Sequence, residues 1–227
     1  MDNGQRTLES MSQAAWYNQW TVKKFLPYIH GDILEVGCGI GNFTNYLVKL
    51  GRVYAIDIKR SYIRETKRLV KDKAEVGFGD IEKGKYFFKK KEFECIICIN
   101  VLEHIKKDSG ALANLHKLLK SKGFLILLVP AHDFLFGKID EAIGHFRRYD
   151  KQKLKEELGG TGFKVISSRR INMLGAIGWW FSSKVFSEKI VSENQIKIFN
   201  LIAPFVLPLE DLKEPMFGTS ILLVAQK

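Results

Sequence analysis

Glu35-Val36-Gly37-Cys38-Gly39-Ile40-Gly41 sets three glycines at alternate positions after an apolar run, with a carboxylate two residues before the first. A glycine-rich loop after a strand serves dinucleotides, phosphates and other nucleotides alike. The dinucleotide form is Gly-x-Gly-x-x-Gly, whose helix N-terminus cradles a pyrophosphate. The spacing here is Gly-x-Gly-x-Gly, and Glu35 would be an awkward neighbour for that anion. It suits a ligand with a positive amino group and a sulfonium centre. A second chemical pattern, Cys95-x-x-Cys98, lies inside the apolar run Phe93 to Ile99. Residues three apart on a strand point to opposite faces, so one metal ion could not easily reach both thiols. Two buried small hydrophobes in a reducing cytoplasm is the expectation, and no metal site is assigned.

The elements that must hold these residues alternate. Apolar runs at 33–36, 53–57, 74–78, 93–99 and 124–129 read as five strands, the last stopped by Pro130. Between them, Asn42 to Leu50 has helical spacing, a basic helix follows Asp57, and Leu102 to Leu119 carries a helix interrupted near Ser109-Gly110. This alternation predicts βαβ units and a parallel sheet wound on both faces. Ligands then sit beyond the carboxyl ends of the strands. Gly37 to Gly41, Asp57, Asp80, Asn100 and Ala131-His132 fall along that one rim. Later, Asp150 to Leu158 reads as a helix capped by Asp150 and stopped at Gly159-Gly160, and 163–171 as a sixth strand. Met173 to Phe186 and Gln195 to Val206 read as apolar helices, and Ser220 to Ala225 as the closing strand.

The segment Ile33 to Thr44 resembles the first motif of the class I, Rossmann-like S-adenosylmethionine-dependent methyltransferases. The resemblance covers residues 33 to 130. It implies an α/β fold with a seven-stranded, mostly parallel sheet, helices on both faces and an antiparallel last strand. Helical additions are expected at the N-terminus and between the late strands. By the same resemblance, Glu35, Gly37, Cys38, Gly39 and Gly41 hold the cofactor, S-adenosyl-L-methionine, and Asp57 takes the ribose hydroxyls with Ile58 beside it. Phe78-Gly79-Asp80-Ile81 resembles the adenine-binding motif, with Asp80 accepting from the exocyclic amine and Ile81 packing on the ring. Asn100-Val101-Leu102-Glu103-His104-Ile105 resembles the segment that closes over the methionine portion. Glu94 departs from the aspartate of many relatives, away from the rim. Tyr17-Asn18-Gln19-Trp20, Asp140 to Tyr149 and Pro215 to Ser220 resemble a branch acting on small molecules, the type 11/12-like methyltransferases. Tyr17 and Trp20 would then lie on a helix that lids the cofactor, or pack plainly on the sheet.

One domain over 1–227 is expected: a lid helix in 1–30, a cofactor-binding half at 31–130 and a substrate-side half at 131–227. Methyl transfer needs positioning first, and a general base only if the acceptor holds its proton. His132 and His145 are the candidate catalytic bases; His104 reads as structural. Asp140 would orient either histidine. Arg147 and Arg148 would clamp an anionic substrate or stitch their loop to the body, and Trp179 would line the acceptor pocket with His132 and His145. The apolar helices around Trp179-Trp180-Phe181 would cover a hydrophobic substrate, rest on a membrane surface, or serve as ordinary core. The net charge of +11 favours acidic partners, including an anionic membrane or nucleic acid, although the basic helix reads as a solvated face. The leading expectation is methylation of an oxygen or nitrogen on a small-molecule acceptor, hydrophobic, lipid-linked or glycan. RNA or protein methylation is the alternative, and a non-catalytic cofactor-binding or membrane scaffold the second. A cytoplasmic, peripheral location fits, since no apolar stretch reaches the roughly 20 residues of a span.

Overall fold

In the computed structural model, residues 3–227 are described; the first two residues of the expected lid segment lie outside them. The strands are β1 (Asp32–Val36), β2 (Arg52–Asp57), β3 (Ala74–Asp80), β4 (Lys85–Tyr86), β5 (Phe93–Ile99), β6 (Leu119–Pro130), β7 (Lys164–Ile171) and β8 (Ser220–Gln226). They form one sheet in the order β4-β3-β2-β1-β5-β6-β8-β7. Strands β3, β2, β1, β5 and β6 pair in parallel. β8 runs antiparallel between β6 and β7. The expected seven strands are joined by an eighth, β4, a two-residue edge piece folded back on Gly79-Asp80. Gly84, at φ +63°, makes the turn that returns it.

The helices are α1 (Asn3–Ser12), α2 (Ala15–Lys23), α3 (Thr44–Leu47), α4 (Arg60–Val70), α5 (Asp108–Leu118), α6 (Lys138–Ile143), α7 (Lys151–Gly160), α8 (Met173–Trp180), α9 (Glu193–Val206) and α10 (Leu209–Leu212). Two cores form because alternate strand residues face opposite layers. Leu34, Ile56, Ile96 and Cys98 pack with α5 residues Leu112 and Leu115 on one side. Ile33, Val53, Cys95 and Ile97 pack with Tyr17, Trp20 and Phe25 on the other. Cys95 and Cys98 therefore lie in separate layers, and all three cysteines are free and buried.

Several boundaries differ from the sequence expectation. The helix after the glycines shrinks to α3, because its first residues belong to the loop. Leu102 to His104 is a separate 3-10 turn, and α5 starts only at Asp108, so the expected interruption is the helix start. Asp150 does cap α7, accepting from the Gln152 and Lys153 amides. That helix runs through Gly159-Gly160, and the left-handed glycine ending it is Gly162, at φ +92°. The basic face of α4 is exposed while Tyr62, Ile63, Thr66 and Val70 are buried. Among the described residues no helix is long and apolar enough to cross a membrane.

Strand order reverses between β1 and β5: the chain leaves the β1-β2-β3 side and resumes on the other flank of β1. The ends of β1 and β5 at this reversal are the usual ligand position of such sheets.

Candidate active site

Each glycine of the loop after β1 has a positive φ: Gly37 +75°, Gly39 +54° and Gly41 +92°. A side chain is disfavoured there on backbone grounds alone. At Gly37 it is also blocked by space, since a Cβ would stand 2.3 Å from Cγ2 of Val101. The loops leaving β1 and β5 touch at that contact. The amides of Gly37 and Cys38 both donate to the Ile56 carbonyl, at 2.8 and 3.0 Å, so the loop is tied to β2.

Asp57, ending β2, is buried but reached by two amides. Gly39 donates to its Oδ2 at 2.9 Å and Lys59 to its Oδ1 at 2.8 Å. Both oxygens keep further acceptor capacity. Burial nevertheless pushes its carboxyl above the ordinary range, against those two bonds. Glu35 is also buried, and its Oε2 accepts the Thr44 hydroxyl at 2.6 Å. Burial pushes it up to about 8; the Thr44 bond opposes this and the Asp57 charge adds to it.

The other rim positions follow the strand ends. Asp80 is partly buried, accepts the Lys83 amide at 3.0 Å and pairs with the Lys83 ammonium at 3.3 Å. Ile81 is buried, and its carbonyl accepts from Asn114 at 2.8 Å. Ile58 is 61% exposed. Asn100, His132 and Asn172, the residues just beyond β5, β6 and β7 or one step later, all have positive φ, at +52°, +64° and +66°. Each is a non-glycine residue in a region costing about 1–2 kcal/mol, and such strain collects at functional sites.

A second constellation converges on Asp140, which is fully buried. His145 Nδ1 lies 2.8 Å from its Oδ1. Arg148 makes two bonds to it, Nε to Oδ1 at 3.0 Å and Nη2 to Oδ2 at 3.2 Å. Trp179 Nε1 and the Gly137 amide complete the set on Oδ2, at 3.2 and 3.0 Å. Burial drives this carboxyl up, but the His145 bond and the Arg148 charge outweigh it and hold it below the usual range. Arg148 spends its remaining Nη1 on the Ala131 carbonyl and lies 4.8 Å over the Trp179 ring. Arg147 is likewise engaged, with Asp108 and the Lys106 carbonyl.

Beside this cluster, His132 is half-buried. Its ring packs 5.1 Å from Phe134, and its buried Nε2 has no hydrogen-bond partner. Burial, then the Arg170 charge, pull its pKa down, which leaves the ring neutral at pH 7. Phe134 also lines a groove of about 290 Å³ with Leu135, Ala176, Ile177, Trp180, Phe181 and Phe217.

The profile of a methyltransferase domain matches residues 18–168. The chain belongs to the methyltransferase domain family. An uncharacterised protein of Methanocaldococcus jannaschii is 29% identical over 170 residues, 75% of this chain and 71% of that one. Among solved structures, a chain of the complex between the Haloferax volcanii Trm112 methyltransferase activator and its methyltransferase superposes with TM-score 0.68. It is 14% identical and covers 100% of this chain and 98% of its own. The N-methyltransferase NodS of Bradyrhizobium japonicum, solved with S-adenosyl-L-homocysteine, superposes with TM-score 0.54 at 16% identity, covering 86% of this chain and 76% of its own. This chain's Rossmann-like fold is the one shared by class I S-adenosylmethionine-dependent methyltransferases.

Within this methyltransferase, some sequence-selected residues meet and others do not. The glycine loop, Asp57 and Val101 come together at the ends of β1, β2 and β5. His145, Arg148 and Trp179 meet on Asp140 rather than lining one pocket with His132, because all three bind the same buried carboxylate. None of them lines the apolar groove. Tyr17 packs against Trp20 and Phe199. The N-terminal element lying against the glycine loop is instead α1, whose Leu8 side chain would sit 3.2 Å from a Gly39 Cβ and whose Leu8 carbonyl accepts from Asn42. Sequence reasoning missed Leu8, since nothing local ties residue 8 to residue 39. It also passed over Glu103, which is fully buried with neither carboxylate oxygen hydrogen-bonded. A Glu-His pair just beyond a rim strand was the available signal.

Proposed function

We propose that this methyltransferase transfers the methyl group to an oxygen or nitrogen of a small hydrophobic acceptor, including the apolar part of a lipid-linked one. The observation that carries this reading is the wholly apolar groove beside Phe134 and His132. Two of its lining side chains, Trp180 and Phe181, are 41 and 47% exposed, and Ile198 on α9 is 59% exposed. Burying such surface on an acceptor is favourable by about 25 cal/mol per Å².

The cofactor side fits its group. Three glycines with positive φ keep side chains out of the loop and expose its backbone. Asp57 is fixed by two amides, with lone pairs left for the ribose hydroxyls. When bound, S-adenosylmethionine supplies a methyl group activated on a sulfonium. Gly37, Cys38, Gly39 and Gly41 form the wall against it, and Glu35 contributes negative field from beneath. Asp80 and Ile81, with Ile58, hold the adenine end, and Asn100 and Val101 the methionine end. Tyr17 supports that assembly through α2 and α9, and α1 lies over the loop through Leu8. His132, neutral and with Nε2 unpartnered, accepts the acceptor's proton. Asp140 and Trp179 hold Arg148, which bonds the Ala131 carbonyl next to His132. Arg147 ties the same loop to Asp108.

The test is a panel of labelled methyl-transfer assays with apolar phenols, alcohols and amines, polar sugars, and RNA. Transfer to apolar acceptors, lowered at least about tenfold in kcat by His132→Gln with cofactor affinity unchanged, is the expected result. Transfer confined to RNA or sugars would overturn the acceptor class. An unaltered kcat in the variant would remove His132 as the base.

A further inference from the structure

Glu103 raises a question that the transfer chemistry leaves unanswered. Its carboxylate is fully buried, yet no donor among the described residues reaches either oxygen. The nearby guanidinium of Arg148 is spent on Asp140 and Ala131. A buried acceptor left without a partner costs about 1–3 kcal/mol, and more if charged. What faces it is His145, with Nε2 3.7 Å from Glu103 Oε1. His104 stands beside them, its ring 4.7 Å from that of His145 and at 74° to it. One ligating atom from each of the three lies within 4.8 Å of the other two.

Both histidines are held in the tautomer a metal ion needs. His145 places Nδ1 2.8 Å from the Asp140 carboxylate, and His104 places Nδ1 3.1 Å from the Gly144 carbonyl. Carbonyl and carboxylate oxygens only accept, so in the neutral ring Nδ1 carries the proton and Nε2 is the atom with the free lone pair. A carboxylate or carbonyl fixing the far nitrogen is the usual outer support of a ligating histidine. Asp140 is itself anchored by Arg148, Trp179 and Gly137, so His145 is rigidly aimed.

We propose that Glu103, His104 and His145 form a binding site for a divalent first-row transition ion such as zinc, cobalt or manganese. Two imidazoles and one carboxylate disfavour magnesium and calcium, which take all-oxygen cages. Bonds of about 2.0–2.1 Å in tetrahedral geometry set ligand atoms about 3.3 Å apart, close to the Glu103–His145 separation. The remaining closure falls to His104, the exposed one of the three side chains. Three protein ligands leave a coordination position open, the pattern of ion sites that take an exchangeable oxygen ligand. The site lies just past β5, on the rim that carries the glycine loop. It stands independently of the acceptor reading above.

The test uses untagged full-length protein, stripped by chelator and titrated with cobalt(II) alone, then zinc(II) alone. Visible absorption and elemental analysis after dialysis give geometry and stoichiometry. One equivalent of cobalt, with the d–d bands of a nitrogen- and oxygen-ligated ion and displaced by zinc, is expected. Glu103→Gln and His104→Ala should each weaken binding at least about tenfold, while His116→Ala, a histidine outside the cluster, should not. If Glu103→Gln fails to fold, the surface variant His104→Ala decides alone. Absence of stoichiometric ion, or affinity unchanged in His104→Ala, overturns the proposal.

Discussion

Glu35 should make the protein lose stability between about pH 5 and pH 9, and replacing it by Gln should flatten that dependence. Glu35 sits at 4% exposure between the glycine loop and α3, and burial pushes its carboxyl from the usual 4.5 up to about 8. The Thr44 hydroxyl bond opposes that rise, and the Asp57 charge adds to it. In the unfolded chain the carboxyl titrates near its usual value; in the folded protein it keeps its proton until about pH 8. Because the folded pKa is the higher, its contribution is fully present below about pH 4.5. It is lost as the pH rises through 8. Each pKa unit is worth about 1.4 kcal/mol, so a separation from 4.5 to about 8 corresponds to at most about 5 kcal/mol. Gln keeps an oxygen for Thr44 but cannot titrate. Urea unfolding of both proteins without cofactor, at pH 5, 7 and 9, should show wild type losing stability relative to Glu35→Gln by about 2–5 kcal/mol across that range. Parallel curves, with the difference constant to within about 1 kcal/mol, would refute the raised pKa and the reading of Glu35 as a protonated group in the free protein. The same argument makes cofactor binding proton-linked: an arriving ammonium drives Glu35 to ionise, and the Gln variant should lose the rise of affinity with pH.

Asp57→Ala should weaken binding of S-adenosylhomocysteine by about 1–3 kcal/mol in calorimetry, the loss of two hydrogen bonds to a buried carboxylate; unchanged affinity would remove the ribose role. Asp140→Asn should lower unfolding stability by about 3–5 kcal/mol, because it strips the partner from the buried Arg148 guanidinium, and a loss under about 1 kcal/mol would show that pair to be dispensable.

Much of the cofactor half was legible because its signals are local. Alternate glycines after a strand, each needing a positive φ, and carboxylates at the ends of the next two strands are written within a few residues of where they act. The apolar runs place those ends on one rim because a parallel sheet aligns all its strand termini. Boundaries were less legible. Leu102 to Leu119 reads as one helix interrupted near Ser109-Gly110, yet the chain turns at His104 and begins its helix at Asp108. The apolar late helices could not be assigned to core, pocket or surface from composition; they divide, with Ala176 and Ala203 buried and Leu201 and Phe205 72 and 78% exposed.

The sequence by itself determined the glycine loop and the strand-end carboxylates of the rim, because glycine conformation and strand-end charge are properties of short segments. Only the tertiary structure decided what surrounds Asp140. Gly137, His145 and Arg148 lie within eight residues of it, but Trp179 reaches its carboxylate from 39 residues away and Glu103 faces His145 across 42. Hydrogen-bond partners at such separations leave no periodic trace. The same packing drew Arg148 inward to a buried carboxylate, and left Glu103 without a protein donor at the edge of the cluster.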